Sequence, residues 1–150
     1  MDRRQVLQVG LTALAGAVTA REVAAAPQAA AGAKAATTSR ALGAHPLGAS
    51  FEGWQGTMLE VTYPPGAESA AHQHPGPTFG YVVRGKIRWA INGEPAQVLE
   101  PGQSFFEPMG SVHSTSANAS ATEPATISVV ILGKPGDPIS KPAPKPGDKF

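Results

Sequence analysis

The chain has 150 residues, 41% of them hydrophobic and 15% charged, which is enough for one modest core but not for a second independent domain. Twelve basic and eleven acidic residues give a net charge of +1, so nothing in the charge favours nucleic acid as a partner. The absence of cysteine excludes disulfides and thiolate ligands, and any metal must therefore be bound by histidine, carboxylate or water.

The first 26 residues have the features of an export signal. Arg3 and Arg4 precede a weakly apolar stretch of about 14 residues, which suits a signal peptide and is short for a membrane span. The paired arginines resemble a twin-arginine signal. We therefore expect residues 1–26 to direct export, no stable membrane span, and a periplasmic or secreted protein. An amphipathic N-terminal helix is the alternative.

Two low-complexity segments flank the predicted folded region. Residues 27–40 are rich in alanine without an apolar period, which is typical of a linker. Residues 133–150 hold five of the fifteen prolines and four lysines, a composition that favours an extended, flexible tail. The sequence thus predicts a folded domain over residues 41–132.

Within residues 41–132 the pattern is all-β. Short apolar runs alternate with polar residues and are separated by proline and glycine, as in residues 57–63 and 86–91. Asn92-Gly93 is typical of a tight hairpin turn, and residues 96–99 are predicted to return as the partner strand. About seven or eight short strands are expected, arranged as a sandwich or a small barrel.

Three of the four histidines form a candidate metal site. His72 and His74 are two residues apart, so on a strand both side chains project from the same side. His113 follows on a separate predicted strand and completes a set of three imidazoles, which are common neutral metal ligands. The alternative is that all three are structural, in which case each ring would need a buried hydrogen-bond partner. His45 is interpreted as an ordinary surface or core residue.

These residues fall at spacings that resemble the two sequence motifs of the cupin superfamily. The first motif matches at Gly66, His72, His74 and Gly85, and the second at Gly102, Pro108, Gly110 and His113. The resemblance implies a small single-domain bacterial cupin: an all-β, double-stranded β-helix or jelly-roll barrel with a divalent metal near its open end. It also implies that His72, His74 and His113 are metal ligands.

The chain departs from the family pattern at two positions. The metal-binding glutamate of the family falls on Thr78, and the asparagine of the second motif comes one residue late, at Asn118. Without that glutamate the charge of a divalent ion would be uncompensated. Glu107 is a candidate substitute carboxylate and a candidate catalytic base, although its direction cannot be read beside Pro108. Its alternative is a solvent-facing strand residue.

The sequence therefore predicts an exported metal-binding protein with a three-histidine site that acts on, or binds, a small oxygenated molecule. An oxygenase-like reaction is the favoured activity, and a non-catalytic periplasmic binding protein is the alternative. Three imidazoles suit iron, manganese, nickel, copper and zinc, so the sequence does not choose among these metals. A homodimer is a further expectation, with Trp54 as a candidate contact, since cupins often pair through their sheets.

The export signal yields a direct prediction. Replacing Arg3 and Arg4 together with lysine should leave unprocessed precursor in the cytoplasm, because the twin-arginine pathway recognises the arginine pair. Cell fractionation with detection of precursor and mature forms measures this. Mature protein outside the cytoplasm at an unchanged rate would contradict the twin-arginine assignment.

Overall fold

The computed structural model describes residues 35–145, which form an almost entirely β structure. The strands are β1 (Thr38–Pro46), β2 (Gln55–Tyr63), β3 (Glu68–Ser69), β4 (His72–Gln73), β5 (Thr78–Arg84), β6 (Ile87–Ile91), β7 (Gln97–Leu99), β8 (Ser104–Glu107), β9 (His113–Asn118), β10 (Ala125–Gly133) and β11 (Lys141–Pro142). A single turn of 3₁₀ helix, Ala49–Phe51, lies between β1 and β2.

The strands form two antiparallel sheets. One has the order β1-β2-β10-β5-β8, and the other has the order β11-β4-β9-β6-β7, with β3 also paired to β9. Apart from β1–β2 and β6–β7, neighbouring strands in each sheet are not consecutive in the chain, which is the connectivity of a jelly roll. The predicted double-stranded β-helix is confirmed. No helix in the described residues is long and apolar enough to cross a membrane.

The core lies between the inner faces of the two sheets. In β2, for example, Leu59 and Tyr63 are buried whereas Met58 is exposed, so the predicted alternation holds. The buried apolar cluster consists of Leu59, Tyr63, Val82, Ile87, Leu99, Phe105, Ala125, Ile127, Val129 and Ile131. This apolar cluster fills part of the barrel and leaves room for a cavity at one end.

The turn between β6 and β7 forms as the sequence predicts. Asn92 and Gly93 both have positive φ, at 54° and 77°, and the Glu94 amide donates to the carbonyl of Ile91 at 3.0 Å. Asparagine and glycine tolerate these angles better than other residues. The Asn92 side chain also accepts a hydrogen bond from the Val112 amide at 2.9 Å, which fixes the chain just before β9.

A register shift between β6 and β9 sets the direction of His113. Ala90 pairs with Thr115, and the next residue, Ile91, pairs with His113, so Ser114 has no residue opposite it. A bulge of this kind changes which face the following side chains occupy. As a result His113 and Ser116, three residues apart, are both buried.

Asn118, at the end of β9, is buried and ties three segments together. Its side-chain amide donates to the carbonyls of Tyr63, Pro64 and Glu123 at 2.7–3.1 Å, and its Oδ1 accepts from the Ser120 amide. This asparagine, displaced by one residue from the family spacing, thereby anchors the strand that carries His113.

The chain ends differ from the predicted domain boundaries. Strand β1 starts at Thr38, inside the predicted linker of residues 27–40, and it pairs with β2 along nearly its whole length. Strand β11 lies inside the predicted tail of residues 133–150 and pairs with β4. Edge strands tolerate proline and small polar residues because one side needs no ladder hydrogen bonds, so composition alone does not reveal them. The export signal, residues 1–26, and residues 146–150 lie outside the described residues.

Candidate metal centre

Three strands bring four polar side chains to one end of the barrel. His72 lies in β4, directly opposite His113 at the start of β9, and His74 follows β4. Glu107 is the last residue of β8. The three imidazoles cluster, with one potential ligand atom from each within 4.8 Å of the others. They could therefore hold a metal ion, in agreement with the metal site predicted from the sequence.

Backbone carbonyls orient the first two imidazoles. Nδ1 of His72 lies 2.7 Å from the carbonyl oxygen of Ala70, and Nδ1 of His74 lies 2.8 Å from that of Ile139. A carbonyl only accepts hydrogen bonds, so each Nδ1 carries the proton and each Nε2 keeps its lone pair. A metal-binding histidine is usually held in this way by a partner on its other ring nitrogen.

His113 is the most buried of the three imidazoles. Its Nδ1 lies 3.0 Å from Oε1 of Glu107, and its Nε2 is buried without a hydrogen-bond partner among residues 35–145. Burial, together with the nearby His72 and His74, lowers the pKa of His113 to about 3. Burial also lowers the pKa of His74. Both rings are therefore neutral near pH 7, the form that binds a cation.

Glu107 points into the same cluster. The residue is only 2% exposed, and its Oε2 lies 3.6 Å from Nε2 of His74. The indole of Trp89 approaches Oε1 at 3.5 Å, which is long for a hydrogen bond. Burial raises the pKa of the Glu107 carboxyl to about 7. Glu107 is therefore not a solvent-facing strand residue. Pro108 comes after the end of β8 and does not turn the Glu107 side chain outward.

Thr78 and Glu107 are direct partners across strands β5 and β8. Thr78 is completely buried, and its hydroxyl makes only a long contact, 3.5 Å, to the carbonyl of Gly76. Side chains of directly opposed residues lie on the same face of a sheet. Position 107, which holds a carboxylate, therefore lies on the same face of the sheet as position 78, where the family pattern has its glutamate.

A cavity of about 600 Å³ adjoins the cluster. His72, His74, His113 and Glu107 all line it. Its wall is mainly apolar, with side chains from β2, β8 and β10: Leu59, Val61, Tyr63, Phe105, Ile127, Val129 and Ile131. The outer end of the Phe105 ring occupies the space beside Gly80, where a Cβ atom would be 2.0 Å from the ring. The absence of a side chain at Gly80 thus makes room for this part of the wall.

Segments near both ends of the described range border the cavity, which the sequence did not predict. Residues 36–39 and 139–142 contribute to its lining. The Thr37 hydroxyl oxygen there is buried and has no hydrogen-bond partner within the described range. Tyr63 supplies a second hydroxyl, which lies 2.6 Å from the Ser116 hydroxyl. The low complexity of both ends concealed these positions, and no local signal distinguished them.

The remaining polar residues lie elsewhere. His45 is exposed on β1, at the edge of its sheet, as expected for an ordinary surface residue. Lys86 pairs with Glu100 at 2.6 Å on the exposed surface, and Arg84 donates to the Thr126 hydroxyl at 3.0 Å. Both basic side chains have partners outside the histidine cluster and do not contribute to it.

The comparisons with known proteins agree with this architecture. The model of the Cupin domain family matches residues 59–131, a range that includes both histidine motifs. No curated protein matches the chain. The family match supports the resemblance on which the metal assignment rests.

Several solved structures share the fold. An uncharacterized conserved protein with a double-stranded β-helix domain from Klebsiella pneumoniae is 24% identical, with a TM-score of 0.50, over 60% of this chain and 76% of its own. A cupin-like protein from Thermotoga maritima is 24% identical, with a TM-score of 0.50, over 63% and 67%. A cupin superfamily protein from Desulfitobacterium hafniense is 15% identical, with a TM-score of 0.51, over 65% and 78%. At these identities the likeness shows the fold alone.

The cluster yields a prediction about metal content. Alanine at position 72, 74 or 113 should lower metal occupancy severely, since each change removes one of three imidazoles. His45→Ala is the matched control and should retain the metal of the unaltered protein. Elemental analysis of the four purified variants measures occupancy. Equal occupancy in all four would rule out the cluster as a metal site.

Proposed function

We propose that this domain is a metal-dependent cupin in which His72, His74 and His113 bind a divalent ion, and that the adjoining cavity receives a small oxygenated molecule. The observation that carries the proposal is the convergence of three imidazoles, with one buried Nε2, that of His113, left without a partner among the described residues. Such an orphaned nitrogen is costly unless something binds it.

The donor set fits a transition metal. Imidazole nitrogens with a carboxylate suit iron, manganese, nickel, copper and zinc, whereas calcium and magnesium prefer oxygen ligands. Three imidazoles would not fill the coordination shell of such an ion, so positions would remain for a ligand from the cavity. When bound, such an ion would supply Lewis acidity toward a ligand oxygen and, if redox active, electron transfer.

We assign to Glu107 the role of the metal-site carboxylate, which the family pattern gives to a glutamate at position 78. Its Oε1 lies 3.0 Å from Nδ1 of His113, so the carboxylate stands beside that ring, whose buried Nε2 has no partner among the described residues. Its negative charge compensates the ion, so the uncompensated site that Thr78 alone would imply does not arise. Because Glu107 also lines the cavity, it is placed to accept a proton from a bound molecule.

The cavity indicates the class of ligand. Its volume of about 600 Å³ falls in the range of small-molecule sites, which is about 300–1,000 Å³. The wall is mainly apolar, and the hydroxyls of Thr37 and Tyr63 add polar groups to it. We infer a small molecule with an apolar body and an oxygen group that binds metal, such as an enolate or a catechol.

Location and assembly are parts of the same proposal. We propose that the protein functions in the periplasm or outside the cell, with the arginine pair and apolar stretch in residues 1–26 as the support. We also propose that the protein forms a homodimer. The outer face of the five-stranded sheet exposes large apolar side chains that suit such a contact, among them Met58, Phe79, Tyr81, Val83 and Phe106.

Oxygen consumption separates the two functional classes. An oxygenase-like enzyme should consume oxygen when metal-loaded protein is mixed with catechol or with an enolic substrate, and the His113→Ala variant should not. Saturable binding of the same compounds without oxygen consumption would support the non-catalytic binding protein. A polarographic electrode and titration calorimetry measure the two quantities. Neither binding nor consumption by metal-loaded protein would contradict the proposed ligand class.

The cross-strand pair allows a sharp test of the carboxylate. Glu107→Thr should weaken metal binding by about 10-fold to 100-fold, the usual effect of losing a group that supports a metal ligand. Thr78→Glu/Glu107→Thr moves the carboxylate to the opposite strand and should recover part of the loss. Zn²⁺ affinity from competition titration measures both.

Two further variants complete this design. Thr78→Glu alone places a second carboxylate in a fully buried position beside Glu107 and should lower the melting temperature of the metal-free protein. Glu100→Gln, which alters an exposed carboxylate, is the control and should change neither quantity. Unchanged Zn²⁺ affinity in Glu107→Thr would refute the role assigned to Glu107.

A further inference from the structure

The C-terminal strap, which we define as residues 139–143, lies along β4 at the edge of the six-stranded sheet. Lys141 pairs with Gln73 and Pro142 with His72, and the Ala143 amide donates to the carbonyl of Ala71 at 3.1 Å. The strap therefore runs beside the segment that carries the two neighbouring histidines. It belongs to the proline-rich region that composition assigned to a flexible tail.

The strap makes one contact inside the metal centre. The carbonyl oxygen of Ile139 accepts a hydrogen bond from Nδ1 of His74 at 2.8 Å, between residues 65 apart in sequence. His72 has an equivalent partner only two residues away, the carbonyl of Ala70. The orientation of His72 is thus a local property of its own segment, whereas the orientation of His74 depends on a distant part of the chain.

His74 has a side chain that is only 11% exposed, but Ile139 is its one hydrogen-bond partner among the described residues. It lies just beyond β4 and is followed by Pro75-Gly76-Pro77, so the strand ladder does not extend past it. Its Nε2 faces Oε2 of Glu107 at 3.6 Å, which is too long to fix the ring. The hydrogen bond to Ile139 therefore selects the tautomer that presents Nε2 to the cluster.

The strap is held more weakly than the barrel strands. Its strand β11 has two residues, both exposed, and it pairs on one side only. Segments with few buried contacts open at low free-energy cost. The strap also forms one wall of the cavity, through Ile139, Ser140, Lys141 and Pro142. Opening it would release the His74 ring and widen the cavity at the same time.

We propose that the C-terminal strap is a positioning element of the metal centre, and that its docking and metal binding stabilise each other. A ligand that binds better to the docked state shifts the chain toward that state, and the effect is reciprocal. The proposal rests on the metal centre proposed above. It adds that metal affinity depends on a segment that lies outside both histidine motifs.

Truncation tests this dependence. A chain that ends at Pro138 lacks the strap, and a chain that ends at Lys145 keeps all described residues and is the matched control. The shorter chain should bind Zn²⁺ about 10-fold more weakly, the lower end of the effect expected for losing a partner of a metal-binding histidine. Its Co²⁺ form should also show a changed visible absorption spectrum, because the His74 ring is no longer fixed.

A second pair of variants tests the strap in the full chain and does not depend on whether the truncated protein folds. Ala143→Pro removes the amide that donates to Ala71, and Ala143→Ser keeps it. Ala143→Pro should weaken Zn²⁺ binding relative to Ala143→Ser. In the unaltered chain, added Zn²⁺ should slow hydrogen exchange at the amides of the strap, with exchange at the exposed β6–β7 turn as the internal reference.

The outcomes separate the two proposals. No Zn²⁺ binding by the unaltered chain and by the chain ending at Lys145 would overturn the metal centre itself. Strong Zn²⁺ binding by every variant, with strap exchange unaffected by Zn²⁺, would overturn the role of the strap and leave the metal centre standing. A fall in melting temperature of the metal-free Ala143→Pro variant with unchanged Zn²⁺ affinity and Co²⁺ spectrum would show that the strap is merely structural.

Discussion

The constraint on which this structure depends is the grouping of three imidazoles and a buried carboxylate at one end of a small apolar barrel. Polar groups taken out of water need partners. Nδ1 of His72 uses the nearby carbonyl of Ala70, and Nδ1 of His74 uses the distant carbonyl of Ile139. His113 differs: its Nδ1 lies 3.0 Å from an oxygen of Glu107, and its buried Nε2 has no partner among the described residues, which is the atom on which the proposed metal centre depends.

Thr78 and Glu107 face each other across β5 and β8, so their side chains lie on the same face of the sheet. A carboxylate at either position would therefore reach the same region of the inner surface. At position 107 the carboxylate lies 3.0 Å from Nδ1 of His113. In the proposed metal centre, this pairing would allow the negative charge to move to the neighbouring strand while the sequence motif changes.

The cavity is completed by the two ends of the described chain. Residues 36–39 lead into β1 and the C-terminal strap contains β11, and both contribute to the lining of an otherwise mainly apolar cavity. Edge strands are paired on one side only, so they open at lower cost than central strands. In the proposed metal centre, the strap would therefore affect both the orientation of His74 and the enclosure of the cavity.

The sequence by itself determined the features that depend on local chemistry. Alternation predicted the inward residues of β2, Asn92-Gly93 predicted the turn, and the spacing of His72 and His74 predicted rings on one side, because strand period and turn angles are properties of neighbouring residues. Only the tertiary structure decided the direction of Glu107, the register shift that turns His113 inward, and the places of β1 and β11. These depend on pairing between residues far apart in the chain, which no local pattern encodes.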